Sequence, residues 1–150
     1  NTSKFNLEKK FIIIAPSGSM HRKEKRWPRE NFQKIINHIG QNKIQTVLIG
    51  SLEEKMMLND LAMNTSNCIS LAGQTNLLDL YCLFNKSLMA IGNDSGPMHI
   101  AALSGCKTIV IFSNASDPAL CGQRGRDVTI VRKNNLLDIT SNEIIELLEF

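Results

Sequence analysis

The stretch AIGNDSGPMHIAALSG, residues 90–105, combines an apolar run, a polar turn and a helical pattern. The apolar run predicts a buried strand over residues 87–91. Pro97 suits the first turn of a helix over residues 97–104, where its missing N–H is not needed. A helix that begins just after a strand presents unpaired N–H groups and the positive end of its dipole. The stretch therefore predicts either a phosphate-binding turn or a capped helix start without a ligand.

The side chains of this turn suit an activated sugar. Ser95 and Gly96 would let an anion approach the main chain closely, and His99 would add a donor from about one turn inside the helix. Asp94 would either accept hydrogen bonds from sugar hydroxyls or cap the helix. Because no predicted partner would make His99 a general base, we assign it to binding.

Composition limits the class of protein. A chain of 150 residues with 43% hydrophobic and 21% charged residues is typical of one globular domain. A net charge of +3 is too small to indicate a nucleic-acid partner. The cysteines form no CxxC pair and the histidines lie far apart, which argues against a metal site and favours reduced thiols. The longest apolar runs are too short to cross a bilayer. We expect a cytoplasmic protein without a metal or cofactor.

Six apolar runs alternate with helical patterns along the chain. The predicted strands cover residues 11–15, 44–49, 68–71, 87–91, 107–112 and 128–131. Ser51 is a candidate helix cap, and Thr140 with Glu143 forms a capping box that begins a last helix through Leu148. Trp27 before Pro28 predicts a hydrophobic staple at the first helix. This alternation predicts an α/β fold, a Rossmann-like parallel six-stranded sheet with helices on both faces. Residues 1–10 are interpreted as a linker or chain end, and residues 11–150 as the domain.

Ligands of such sheets bind at the carboxyl ends of the strands. After the first strand, Ser17 and Ser19 offer hydroxyls, and Lys25 or Arg26 would place positive charge on a diphosphate. The alternative for this segment is a charged surface loop without a ligand.

Two further strand ends carry candidates for a nucleoside. After the second strand, Glu53 or Glu54 would either accept hydrogen bonds from ribose hydroxyls or only favour the helix dipole. After the third strand, Leu71 and Gly73 lie in a segment whose apolar walls and main-chain groups would hold a base, although any such loop offers these.

Several nucleotide-binding and catalytic signatures are missing from the sequence. It contains no GxxxxGK[ST] phosphate loop, no GxGxxG after the first strand, no GxSxG nucleophile elbow and no HExxH zinc motif. These absences leave the turn at residues 93–96 as the main candidate for an anion site.

The sequence NDSGPMHIAAL (residues 93–103), together with KRWPRENF (residues 25–32), resembles the lipopolysaccharide heptosyltransferases of glycosyltransferase family 9. LAGQT (residues 71–75) and VIF (residues 110–112) are also similar to that family. The resemblance implies a GT-B enzyme, in which two Rossmann-like domains face a cleft. It further implies transfer of heptose from ADP-heptose to the lipopolysaccharide inner core, with inversion and without a metal.

Family members are about twice as long, so the resemblance implies that this chain is the carboxyl-terminal, donor-binding domain. The acidic general base would belong to the absent amino-terminal domain, which leaves no catalytic residue on this chain. Alone, the domain is expected to bind nucleotide weakly and to catalyse nothing. The resemblance implies donor or phosphate contacts from Ser17, Ser19, Lys25, Asp94, Ser95, Gly96 and His99, and a ribose contact from Glu53. The run His21-Arg22-Lys23 departs from the family loop, so Lys23 could replace Lys25. Separately, Glu54 could replace Glu53 at the ribose.

Two alternatives to a heptosyltransferase stay open. One is a non-catalytic nucleotide-binding or interaction module that has the fold without the partner domain. The other is a GT-B enzyme that uses a UDP-sugar. The lipid-linked acceptor of the family implies a cytoplasmic protein at the inner face of the inner membrane, where the basic residues 21–26 would allow peripheral contact.

Overall fold

The computed structural model describes residues 3–16, 26–65, 67–112, 127–148 and 150. Six strands in these ranges form one sheet in which every neighbouring pair is parallel. The strand order is β3-β2-β1-β4-β5-β6, the order of dinucleotide-binding folds. The prediction of a parallel six-stranded sheet is therefore confirmed. The strands are β1 (Phe11–Ala15), β2 (Gln45–Leu48), β3 (Cys68–Ser70), β4 (Ala90–Asn93), β5 (Thr108–Phe112) and β6 (Val128–Arg132).

Helices cover both faces of the sheet, as predicted. The α-helices are α1 (Arg29–Gln41), α2 (Lys55–Met63), α3 (Leu77–Lys86), α4 (Gly96–Leu103) and α5 (Ser141–Ile145). Short 3-10 helices cover Ser3–Phe5, Leu52–Glu54 and Leu136–Asp138. Side chains of α1, α2 and α5 pack on one face with Ile12 and Ile14 of β1, whereas α3 and α4 pack on the other face with Ile13 and Ala15. Burial on both faces explains why β1 is apolar at every position.

The fourth strand and the last helix differ from their predicted bounds by more than one residue. Ser87 does not begin the fourth strand, because its N–H donates to the carbonyls of Leu83 and Phe84 and ends α3. The strand instead extends further in the other direction, as far as Asn93. The last helix ends at Ile145 rather than at Leu148, because the chain continues in turns with bonds to the third preceding carbonyl.

The amino-terminal segment packs against the domain. Phe5 and Leu7 contact the apolar cluster under α3 and α4, and Lys4 Nζ lies 3.2 Å from Asp79 Oδ2. The Asn76 main-chain N–H, and then Lys4, hold the pKa of Asp79 below its usual value. Residues 3–10 are thus attached to the sheet domain. Whether they also lead to a further domain stays a prediction.

Candidate functional site

The turn after β4 lies at the point where the strand order reverses. The chain runs from β1 to β2 and β3 on one side, and from β4 to β5 and β6 on the other. In open parallel sheets the crevice at such a point, at the carboxyl ends of the strands, is the usual ligand site. Because β1 pairs directly with β4, the ends of these two strands meet there. The predicted anion turn, residues 94–96, is therefore at the preferred position of the fold.

The start of α4 offers main-chain donors at an open surface. Pro97 has no N–H, and the Met98 N–H donates to Ser95 O at 3.1 Å. Within the ranges described, no hydrogen bond is formed by the main-chain N–H of Ser95 or of Gly96. Gly96 is exposed, and a Cβ added to it would meet no atom of the described residues within 4 Å. Two amide donors at the positive end of a helix dipole thus have no hydrogen-bond partner among the described residues, which suits a phosphate.

A second glycine, at position 92, sets how closely α4 approaches the sheet. A Cβ at Gly92 would lie 2.7 Å from Ala15 O and 2.8 Å from Met98 Sδ. Only a residue without a side chain therefore lets β1, β4 and α4 pack at this distance. The chain can then turn directly from the buried strand into the helix.

The side chains of the turn are placed unequally. Asp94 is only 6% exposed, and its main-chain N–H donates to Ile111 O at 3.1 Å. The Oγ of Ser95 is buried, does not cap α4, and has no hydrogen-bond partner among the described residues. His99 is exposed and follows Gly96 by three positions, so the two lie on one helix face. At this turn, a ligand could therefore bind the main-chain N–H of Ser95 and the side chain of His99, but not the buried Oγ of Ser95.

Asn93 has a role that the sequence pattern did not reveal. Its side chain is fully buried; its Oδ1 accepts the main-chain N–H of Trp27 at 2.9 Å, and its Nδ2 donates to Pro16 O at 2.8 Å. Sequence reasoning placed Asn93 only among the polar residues of the turn. The sequence signal for this role was only an amide side chain directly after an apolar run. The signal was not sufficient, because both hydrogen-bond partners are distant in the sequence.

Trp27 is anchored as the sequence predicted, and more firmly. Its ring meets that of Phe32 edge-on, with centroids 5.0 Å apart, which confirms the hydrophobic staple at the start of α1. The indole Nε1–H also donates to Ile139 O at 2.9 Å, and only 1% of the residue is exposed.

Ser17, Ser19 and Lys25, and the alternative Lys23, lie outside the described residues. Their predicted phosphate contacts stay predictions. Pro16 directly precedes this segment, and Trp27 follows it after Arg26. Both Pro16 and Trp27 are described, and both are bonded to Asn93.

The two glutamates after β2 have different environments. Glu54 completes a capping box, because its Oε1 accepts the N–H and the hydroxyl of Ser51, each at 2.9 Å. This confirms Ser51 as a helix cap. The other oxygen of Glu54, Oε2, is buried and has no partner within the described ranges. Glu53 is exposed to solvent.

The loops after β2 and β3 contact each other. The Gly73 N–H donates to Gly50 O at 2.9 Å. Gly73 has a φ of +71°, and a Cβ there would lie 2.9 Å from Leu52 Cβ. Both the backbone conformation and the close contact therefore favour glycine at this position. The Leu71 side chain is 5% exposed and packs in the core under α3 and α4. The structure thus presents the main chain near Gly73, and not the Leu71 side chain, to this surface.

Neither a metal-binding cluster nor a membrane-spanning helix is found in the part of the chain that the structure describes. The described residues contain no group of three or more His, Cys, Asp or Glu side chains arranged to hold a metal ion. Cys68, Cys82 and Cys106 are free thiols, and burial raises the pKa of Cys68 to about 12. No described helix combines the length and the apolar character needed to cross a membrane.

Comparisons with known proteins identify relatives of this chain by sequence and by fold. The lipopolysaccharide core heptosyltransferase OpsX of Haemophilus influenzae is 30% identical over 112 residues, which cover 72% of this chain and 31% of that protein. The structure of E. coli ADP-heptose lps heptosyltransferase II superposes with a TM-score of 0.87 at 23% identity, over 96% of this chain and 47% of that one. E. coli heptosyltransferase WaaC with ADP gives a TM-score of 0.84 at 21% identity, over 96% and 46%.

The chain thus spans about a third of the curated relatives it matches, and about half of the solved chains. The sequence profile of glycosyltransferase family 9 (heptosyltransferase) matches residues 1–143, nearly the whole chain. The chain belongs to this family of heptosyltransferases.

Proposed function

We propose that this chain is the donor-binding half of an inverting, metal-independent GT-B enzyme that transfers heptose from ADP-heptose to the lipopolysaccharide inner core. The observation that carries the proposal is the pair of open main-chain donors at Ser95 and Gly96, placed at the β1–β4 crevice of a family 9 chain. It is supported by the similarity to heptosyltransferase WaaC, whose structure was solved with ADP.

The chemistry asked of this half is electrostatic. During transfer, the bond between the anomeric carbon and the phosphate oxygen breaks, and its electron pair goes to the diphosphate. The α4 dipole and the Ser95 and Gly96 amides would stabilise this charge without reorganising, and Lys25 would add a positive charge. Preorganised donors of this kind are worth about 3–4 kcal/mol each in other enzymes.

The second half of the reaction takes place at the acceptor. An acceptor hydroxyl attacks the opposite face of the sugar, and its proton goes to an acidic general base. Because this chain spans about a third of its curated relatives, we place that base and the acceptor site in an amino-terminal domain. We expect the 150-residue chain alone to bind the donor nucleotide and to be inactive in transfer.

The nucleoside is assigned to the loops after β2 and β3. We propose that Glu53 accepts the ribose hydroxyls, because it is exposed whereas Glu54 holds Ser51. The base would lie against the main chain near Gly73, since Leu71 is buried. Asp94 would accept a sugar hydroxyl, and His99, exposed beside Gly96, would donate to the phosphate.

The cellular setting follows from the proposed acceptor. A lipid-linked acceptor lies at the inner face of the inner membrane, so we place the enzyme in the cytoplasm at that surface. The basic residues 21–26 would favour peripheral contact with anionic lipids.

Ligand-observed NMR of the purified chain with ADP, UDP and GDP tests the assignment. We expect saturation transfer to ADP at millimolar concentration. The signal should be weaker for Lys25→Ala, because this substitution removes a positive charge that would bind the phosphate. Lys34→Ala is the matched control, since it removes the same charge from an exposed position on α1. A preference for UDP would favour a UDP-sugar enzyme. A folded chain that binds none of the three would favour an interaction module instead.

A further inference from the structure

The buried amide of Asn93 joins three parts of the site. Asn93 is the last residue of β4 and directly precedes the turn that begins at Asp94. Its side chain bonds Pro16, at the end of β1, and Trp27, just before α1. We propose that Asn93 is a positioning residue, which holds both ends of the β1–α1 connection against the phosphate turn and so sets phosphate affinity. This inference rests on the proposed function of the turn.

The geometry uses both ends of the amide. Nδ2 donates to Pro16 O at 2.8 Å, and Oδ1 accepts the Trp27 N–H at 2.9 Å. Trp27 lies 11 positions after Pro16 in the chain, and one side chain binds both of these residues next to the turn. A carboxylate cannot donate and an aliphatic side chain can do neither, so an amide suits this position best.

Asn93 acts from a rigid base. Its own residue pairs with Ile111 in the sheet, and the next N–H, of Asp94, donates to Ile111 O. On the other side Trp27 is held by Ile139 O and by the ring of Phe32. A change at Asn93 would therefore shift Pro16 and Trp27 relative to the turn.

Asn93 does not touch a ligand itself. Its exposed fraction is 0%, and both of its polar groups are bonded within the protein. Its effect on binding must therefore pass through the position of its neighbours. This separates it from Ser95 and Gly96, whose main-chain N–H groups have no hydrogen-bond partner among the described residues.

The test is Asn93→Asp, measured by ADP and adenosine titrations and by amide exchange of the Trp27 N–H. The introduced carboxylate keeps an acceptor for Trp27 but repels Pro16 O. We expect ADP affinity at pH 8 to fall about tenfold, because Pro16 is no longer held beside the turn. Adenosine affinity should be unchanged, and the Trp27 N–H should exchange faster even without a ligand.

A pH series tests whether the donor of the Asn93 side chain is the group that matters. At lower pH the introduced carboxyl takes up a proton and can again donate to Pro16 O. The ratio of wild-type to variant ADP affinity should therefore shrink as the pH falls from 8 towards 5. A ratio that stays constant across this range would contradict the proposal.

Asn85→Ala is the matched control, because it also removes an asparagine amide from a carbonyl, that of Ser104, away from the turn. It should leave ADP affinity unchanged. Asn93→Gln, which keeps both groups on a longer stem, gives a second variant with an expected intermediate loss. Wild-type-like ADP affinity in either folded Asn93 variant would overturn the positioning role alone. Failure of the wild type to bind ADP would overturn the proposed function itself, and the Trp27 exchange would still show whether Asn93 holds the connection.

Discussion

The helices α3 and α4 lie on the same face of the sheet but begin in opposite ways. At α3, the Asn76 side chain accepts the Asp79 N–H at 2.7 Å and Asp79 accepts the Asn76 N–H at 3.1 Å. At α4, Ser95 makes no such bond, and the first turn contains no acidic residue. The α3 start therefore has a side-chain cap and an acidic residue in its first turn, whereas the α4 start has neither among the described residues.

The charge state of Asp79 strengthens this contrast. Its pKa lies below the usual 3.8, first because it accepts the Asn76 N–H and further because Lys4 is close. The lowered pKa favours the ionised carboxylate, which offsets the positive end of the α3 dipole. Because the α4 dipole has no such partner in its first turn, a bound anion gains more there.

The largest expected effect comes from giving α4 its own charge, with Gly96→Asp. The new carboxylate would favour the helix dipole and repel a phosphate, so we expect ADP affinity to fall about 100-fold or more, about 2.7 kcal/mol. Folding stability should be unchanged or up to about 1 kcal/mol higher. Isothermal titration and urea unfolding measure the two. Asn142→Asp, in the first turn of α5, is the control and should leave ADP binding intact. Equal ADP affinity in Gly96→Asp would show that the α4 start is not the anion site.

The second effect distinguishes the two glycines beside the turn. Gly92→Ala should cost about 1–3 kcal/mol of stability, because the added methyl would press on Ala15 O and Met98 Sδ. Gly96→Ala meets no atom and should change stability by less than about 0.5 kcal/mol. Urea unfolding of both variants measures the difference. Similar losses for the two would mean that the open space above Gly96 is filled.

The smallest effect compares the caps directly. Asn76→Ala should lower stability by about 1 kcal/mol, because the Asp79 N–H loses its acceptor. Ser95→Ala should change it by less than about 0.5 kcal/mol, because its Oγ has no partner among the described residues. Thermal unfolding of the two variants is the measurement. A loss in Ser95→Ala as large as that in Asn76→Ala would reveal a cap at α4 and remove the contrast.

Local features were predicted well because their causes are local. The run Phe11–Ala15 is the strand that its continuous apolar character indicated. The capping box Thr140–Glu143 forms as predicted, since its partners lie three residues apart. Trp27 and Phe32 pack across the start of α1 for the same reason. Each depends on one helical turn or one strand and not on the rest of the fold.

The candidate site was predicted less completely. The turn at Asp94–Gly96 is found at the start of a helix, as its sequence indicated. The structure shows that Glu54 bonds Ser51, whereas the ribose contact of Glu53 stays a prediction. Leu71 was a candidate wall for a base, yet its strand directs it into the core. Side-chain direction at the end of a short strand is not readable from so few residues.

By itself, the sequence determined the elements of this protein: six strands, the helices between them and a polar turn before α4, because hydrophobic periodicity and capping act over a few residues. Only the tertiary structure decided that β4 pairs with β1, which brings the turn to the reversal of strand order and lets Asn93 bond both Pro16 and Trp27. The physical reason is that strand order and buried side-chain hydrogen bonds depend on how distant elements pack together. Local sequence does not encode the neighbour of a strand.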